Sequence, residues 1–559
     1  MNKKTLLIVA SVAALLLIVG GVFAALYFNS ASEEKKSENK AEKVSDNTTM
    51  NLEDNLLFYV NLGQLGDKSA LDKVFTEANR SLMSNLLTGG INSKYVESLL
   101  SNLDATGLDI DKPIYSYANI EENGVEVVIV AEVANVDAVD SFIEFVSEAS
   151  GLYIDVEHNG KTRAFSIENI YFAYNEDRFV MTTSITDDYF IDGEALVAKA
   201  LKRSQPDLSA YAHYDIAVSL KLMPILDAVR AQMQATIDEC YEYIDYLDEW
   251  EKEWYLEQIA NIENYMNQMN AAAELMDKNS SITLGLAFEP GKIVLDMSID
   301  GISYEHAGRK VSNDHLAYVD GNAIGVMNMG VDGEIASKLI SEYITPDYAQ
   351  MFGLSRNEFS IYLSIIEGAV ESINGDVTVA LNDFNPYSEK IDAMLAVSVD
   401  DDYIISNVAQ FGSGFLKKRG DNCYGVNYAG NNISLGQEGD VFYATINENF
   451  ELQSASANEA AWANEVSNGY GYFVVDINNL MKNSYISSSF HNELYYMDSF
   501  SAELINNFVK SCSYAYLSIE TPTSVQFVLG FDDQKTNALE QLVRMVVPAA
   551  ISELTNSIF

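Results

Sequence analysis

The stretch LFYVNLGQL, Leu57–Leu65, decides how this chain is read. Its apolar run ends on one small polar residue, Asn61, followed by Leu62. The figure returns as DIAVSLKLM at Asp215–Met223, IGVMNMGVD at Ile324–Asp332 and YFVVDINNL at Tyr472–Leu480. The polar position is then Ser219, Asn328 or Asp476. Long and short intervals alternate between the copies, so the larger period is ~260 residues, the mark of a repeated architecture. Asn, Ser and Asp all bond nearby backbone N–H groups, so the position reads as the cap of a strand-to-helix corner. A catalytic role would require one chemistry rather than three.

Working outward, each opening strand leads into a helical segment and then a pair of strands. In the first unit the helical part is Ser69–Leu87 and Ser93–Leu103, and the strands PIYSYANI and VEVVIVAEV meet at Asn123-Gly124, a hairpin signal. The later pairs turn at Pro290-Gly291, Asn385-Pro386 and Thr521-Pro522. The first and third units add short strands, with turns at Asn159-Gly160 and Gly430-Asn431. The expected fold class is α+β, with antiparallel sheets covered by helices. It is internally duplicated as two tandem halves, 51–315 and 316–559, each holding two related β-α-β-β units.

The second unit departs from this plan. Residues 223–279 contain no glycine, and apolar residues recur at helical spacing through Ile237, Tyr241, Ile244, Leu247, Trp254, Ile259 and Ile262. One straight helix of this length would reach ~80 Å, so the excursion must bend, fold into a helical hairpin or project. Two of the three tryptophans, Trp250 and Trp254, stand here at i and i+4 among acidic residues. One reading closes them onto neighbouring helices or the sheet. The other makes Trp250, Trp254, Tyr241 and Tyr243 a candidate interaction surface.

Length and charge bound the rest. The 559 residues are 48% apolar, enough for a sizeable core. The net charge is −48. Such a body repels phosphate backbones, which excludes nucleic acid as a partner and leaves cations compatible. At the N-terminus, Lys3 and Lys4 precede an uncharged run, Thr5–Phe28. As a helix it would span ~36 Å, more than a bilayer core. Residues 1–28 are therefore read as a cytoplasmic stub with a transmembrane helix or signal anchor, a cleaved signal peptide being the rival. Residues 29–50 are polar and free of aromatics, a tether that holds an extracytoplasmic body off the membrane.

No chemical constellation emerges. Cys240, Cys423 and Cys512 lie far apart, and the five histidines are scattered. HExxH, GxSxG, Walker A and GxGxxG patterns are absent. Asp155–Gly160 imitates half a calcium loop, but its strand-like flanks point to a hairpin turn. No catalytic, cofactor-binding or metal-binding residue is assigned, and no cofactor is expected.

The exported N-terminus, LFYVNLGQL, GLDIDKPIYSY at Gly107–Tyr117 and AYVDGNAIGVMNMG at Ala317–Gly330 together resemble a family of uncharacterised Bacteroidetes cell-envelope proteins, lipoprotein-like, built on a domain of unknown function. The resemblance implies neither activity nor site residues. This chain has no cysteine near its apolar segment, so the helix itself would be the anchor. The functional expectation is a membrane-tethered extracytoplasmic binding or scaffold protein of the bacterial periplasm or cell surface, with a protein or glycan partner. The alternatives are an exported hydrolase acting on envelope or glycan material through acidic residues, and a divalent-cation-dependent adhesion module.

Overall fold

The computed structural model describes residues 56–61 and, apart from short internal stretches, 106–546. The expected segments 1–28 and 29–50 and the helical stretch Ser69–Leu103 lie outside the described residues. The chain forms two compact units: a smaller one of residues 221–281 and 300–305, and a larger one holding the rest of the folded body.

The larger unit is built on antiparallel sheet. Its first strands are β1 (Leu56–Val60), β2 (Ile114–Glu121) and β3 (Gly124–Glu132), followed by helix α1 (Val136–Ser150). Then come β4 (Glu157–Asn159), β5 (Thr162–Ile167), β6 (Ile170–Tyr174), β7 (Arg178–Thr186), helix α2 (Gly193–Lys202) and β8 (Ile216–Lys221). Helices α3 (Leu222–Ile244) and α4 (Glu249–Glu274) precede β9 (Met276–Glu289) and β10 (Lys292–Ile302). The chain continues with β11 (Gly325–Asp332), α5 (Gly333–Tyr343), α6 (Arg356–Glu371), β12 (Ile373–Asn385), β13 (Lys390–Val399) and α7 (Tyr403–Gly412). Four short strands follow: β14 (Lys417–Gly420), β15 (Cys423–Tyr428), β16 (Asn431–Glu438) and β17 (Val441–Asn447). The last elements are β18 (Gly471–Asp476), α8 (Ile477–Lys482), α9 (Ser484–Tyr495), α10 (Ser499–Ser511), β19 (Cys512–Thr521) and β20 (Ser524–Phe531). The class is α+β, as the alternation of strand and helix patterns predicts.

Strand order follows from the pairings. From one side it runs β4, β5, β6, β7, β3, β2, β1, β8. From the other it runs β14, β15, β16, β17, β13, β12, β11, β18. Next to β18 stands β19, then β20, then β10, which pairs with β9 across Pro290-Gly291. Gly291 takes φ 73° there, the left-handed conformation that favours glycine.

Alternation along the strands sorts the side chains between two faces. On one face Val294, Val528, Tyr516, Val474, Val326, Ala380 and Met394 are neighbours across successive strands, and all are buried. Trp462, Leu316, Val319 and Val466 pack over this row. Directly paired positions on the opposite face include Leu295, Phe527, Leu517, Phe473, Met327 and Val379. That face is only partly covered, and Phe473 is 50% exposed. Near its end, Ile293, Leu529, Ile477 and Phe508 gather around buried Phe531 and Cys512.

The expected corner cap forms at Asp476 and is corrected at Asn328 and Ser219, while the corner after Asn61 lies outside the described residues. Asp476 does cap a helix, its Oδ1 accepting from Asn479 N at 2.8 Å. In the third copy the cap is Asp332, which accepts from Ile335 N, four residues beyond Asn328. Asn328 lies inside β11 and Ser219 inside β8, where Thr283 Oγ1 donates to its hydroxyl. Asn61 follows the end of β1 and donates its backbone N–H to Asp215 O at 2.8 Å. An isolated polar residue in an apolar run thus has two meanings: it ends the strand, or it sits mid-strand with buried partners.

Asn328 has such partners. Its Nδ2 donates to Asp376 Oδ2 at 3.1 Å, and its Oδ1 accepts from Thr378 Oγ1 at 3.0 Å. Asp376 also accepts from the backbone N–H groups of Ser312 and Asn313. His315 completes the network, with Nδ1 3.0 Å from Thr378 Oγ1 and Nε2 3.2 Å from Ser398 Oγ. Burial pushes the His315 imidazole below the usual histidine range, against the opposing pull of Asp376, Asp314 and Asp440. It is therefore held neutral in the fold, while the unfolded chain takes up its proton below about pH 6.5. This contribution to stability is present above that pH and is lost as the pH falls through the unfolded value. Buried Asp215 and half-buried Asp476, whose carboxyls are raised by desolvation, act in the opposite sense toward the acid side. Urea midpoints measured from pH 7.5 to 5.5 should fall less in His315→Gln than in the parent chain.

Tyr514 lies across from Gly530, where an added Cβ would meet the ring at 2.3 Å. Gly530→Ala should cost about 1–3 kcal/mol in denaturant unfolding through overpacking. Tyr514→Phe should be close to neutral, because the buried Tyr514 hydroxyl has no hydrogen-bond partner to lose.

Candidate interaction surface

Between β8 and β9 in the chain, the glycine-free excursion is a helical hairpin, one of the three forms expected of it. α3 and α4 are 23 and 26 residues long. Ile237 on α3 and Ile259 on α4 are buried in this unit, with Tyr255, Ile262 and Met266 half-buried. At ~100° per residue, Trp250, Trp254, Asn261 and Tyr265 fall within about 60° of one another on α4, while Ile259 lies on the far side.

The indoles do not close the hairpin. Trp250 is 71% and Trp254 53% exposed. Trp254 makes an edge-to-face contact with Tyr255 at 5.0 Å between centroids, which fixes its ring plane without covering it. Glu253 and Glu257 are exposed beside them. The outer face of α4 therefore presents aromatic rings and carboxylates in turn.

Tyr241 and Tyr243 are also exposed. They stand two residues apart on α3, so their side chains diverge by about 200° and cannot share one stripe. The candidate set thus resolves into a paired-indole stripe on α4 and two separate tyrosines on α3. Tyr246, in the turn, and Tyr265, three turns beyond Trp254, are exposed too, and neither was among the expected surface residues. The i, i+4, i+11 spacing from Trp250 was the signal for Tyr265's companions (Trp254 and Asn261), and it places Tyr265 on the same stripe.

Charge on the hairpin is one-sided. Residues 222–274 hold twelve acidic side chains and two basic ones, Arg230 and Lys252. Arg230 is paired with Asp227 at 3.0 Å. Asp238 and Glu242, and Glu253 and Glu257, are like charges at i, i+4, each pair costing about 0.2–0.5 kcal/mol of helix stability. Among the described residues, no three His, Cys, Asp or Glu side chains converge as a metal site would require. Asp155–Gly160, the calcium-loop imitation, runs through β4 into the hairpin turn before β5, with Gly160 at φ 68°.

An antiparallel α+β body carrying an acidic, aromatic helical hairpin is the class of molecule these elements define. A family profile described as a domain of unknown function (DUF4836) matches residues 47–539, and the chain belongs to that family. No curated protein and no solved structure matches the chain. Among the described residues, no helix is long and apolar enough to cross a membrane.

The inner and outer faces of the hairpin should respond differently to truncation. Ile259→Ala is expected to lower stability by about 2–5 kcal/mol. Trp250→Ala, at an exposed position, should stay within about 0.5 kcal/mol of the parent. Thermal and denaturant melts of the two variants check this.

Proposed function

We propose that this is a membrane-tethered, extracytoplasmic binding or scaffold protein of the bacterial envelope, with the α3–α4 hairpin as its partner-facing element. The observation that carries the reading is the exposure of Trp250 and Trp254 on one helical stripe. Indoles are costly to leave in water and are enriched where partners dock. The anchor is the uncharged run Thr5–Phe28, and residues 29–50 are the tether. The lipoprotein-like family likeness supports an envelope location, and a Bacteroidetes source belongs to the same proposal.

The reading includes an internal duplication of the body. Its support is the matching strand order from the two sides and the matching cross-strand neighbours. Tyr171–Thr182–Val128–Tyr117–Leu57 follow one another in one stretch as Ser434–Thr445–Met394–Ala380–Val326 do in the other. Corresponding residues stand about 260 positions apart, the interval of the opening repeat. On this frame Ser219 corresponds to Val474 rather than to Asp476.

Protease treatment of intact cells and spheroplasts tests the placement. The body should be degraded in spheroplasts and its remnant stay with the membrane; a protected, soluble pool would overturn the tethered reading. In vivo cross-linking tests the hairpin. Adducts of the parent chain should disappear in Trp250→Ala/Trp254→Ala with the melt unchanged, and persisting adducts would remove the hairpin as the contact surface.

A further inference from the structure

We propose that the outer face of α4 receives a cationic, arginine-bearing peptide segment of a partner protein. Guanidinium groups would stack on Trp250 and Trp254 and pair with Glu253 and Glu257. This rests on the reading of the hairpin as the partner-facing element, and it names the chemistry of what binds there.

Three observations favour this occupant. First, charge: α4 carries six acidic residues and a single cation, Lys252, which is half-buried. An acidic or lipid-phosphate partner would be repelled, while a cation relieves the Glu253/Glu257 repulsion already present in the free protein. Second, spacing: Trp250 and Trp254 are one helical turn apart, about 6 Å along the axis. Glu253 lies within a turn of both rings, and Glu257 within a turn of Trp254. One planar group can therefore lie on an indole while its edge meets a carboxylate. Third, exposure: both rings are open, and the Trp254 plane is held by Tyr255. Guanidinium is weakly hydrated, flat and forked, and it makes the stacking and the carboxylate contact together; a lysine ammonium is a hydrated point charge that gains less from the ring. A neutral sugar could use the aromatic platform but would leave the carboxylate repulsion in place.

The test uses the full chain with octa-arginine and octa-lysine as probes, titrated at ~0.15 M salt, where surface charges further apart than about 8 Å are largely screened. Binding is read by calorimetry and by tryptophan emission. Trp462, the third indole, is 1% exposed, so emission changes report on Trp250 and Trp254. Octa-arginine is expected to bind about tenfold more tightly than octa-lysine. Glu253→Gln/Glu257→Gln should weaken octa-arginine by about tenfold, and Trp250→Ala/Trp254→Ala should abolish the preference for arginine over lysine. Glu493→Gln, on exposed α9, should change neither.

Equal affinity of parent and hairpin variants for octa-arginine would overturn the proposal, since binding would then follow the net charge of the whole body. If cellohexaose shifts the tryptophan emission while octa-arginine does not, the cationic partner is wrong and the partner-facing hairpin stands. If neither probe perturbs Trp250 and Trp254, and cross-linking is also insensitive to them, both readings fall.

Discussion

The ladder between β10 and β20 is the constraint on which the larger unit depends. Seven residue pairs, from Lys292 with Gly530 to Ser298 with Ser524, join strands about 230 residues apart in the chain. The register is symmetric about Leu295 and Phe527, with each end of one strand facing the other end of its mate. Sliding β20 by one residue would turn Val528 out of the core and bring Phe527 in against an unmoved Val294. The buried row that crosses the seam, from Val294 through Tyr516 to Val326, would then lose its continuity beneath Trp462. Without the ladder, two strands would each present an unpaired backbone edge in the middle of the molecule.

A polar network is embedded close to that apolar row. Asp376 accepts four hydrogen bonds, two of them from the backbone of the 312–313 turn, so the carboxylate acts as a rivet for the segment that brings Leu316 and Val319 over the sheet. His315 is held between two hydroxyls. Buried groups satisfied in this way specify one arrangement of the cover, because any other leaves a desolvated group without a partner. Packing of aliphatic side chains alone would tolerate several.

Much of the sheet was legible because its turns carry distinctive chemistry. Pro290-Gly291 and Asn159-Gly160 mark hairpins that form. β14 was missed because Lys417–Gly420 is exposed throughout and shows no alternation for a pattern to detect. The corner caps were misplaced for a related reason: a single polar residue in an apolar run does not say whether its partners are local backbone or distant side chains. Asp376 and Thr378, the partners of Asn328, are about 50 residues away in sequence and become visible only once β11 and β12 pair. On the hairpin, helical periodicity was clear. Which aromatics share a stripe required the helix phase, which joins Trp250 to Trp254 and separates Tyr241 from Tyr243.

The seam has a further consequence for the order in which the molecule can be made. Its two strands are about 230 residues apart, so β10 leaves the ribosome long before β20 exists. At roughly 5–20 residues per second, β10 waits about 10–50 s with an unpaired edge. The outer strands β4 and β14 are short and fully exposed, the latter basic, which suits them to remain unpaired. β10, with its apolar Ile293, Val294, Leu295 and Met297, has no such protection. The period in which this protein is most open to mispairing with another nascent copy is therefore set by translation time rather than by the stability of the finished fold.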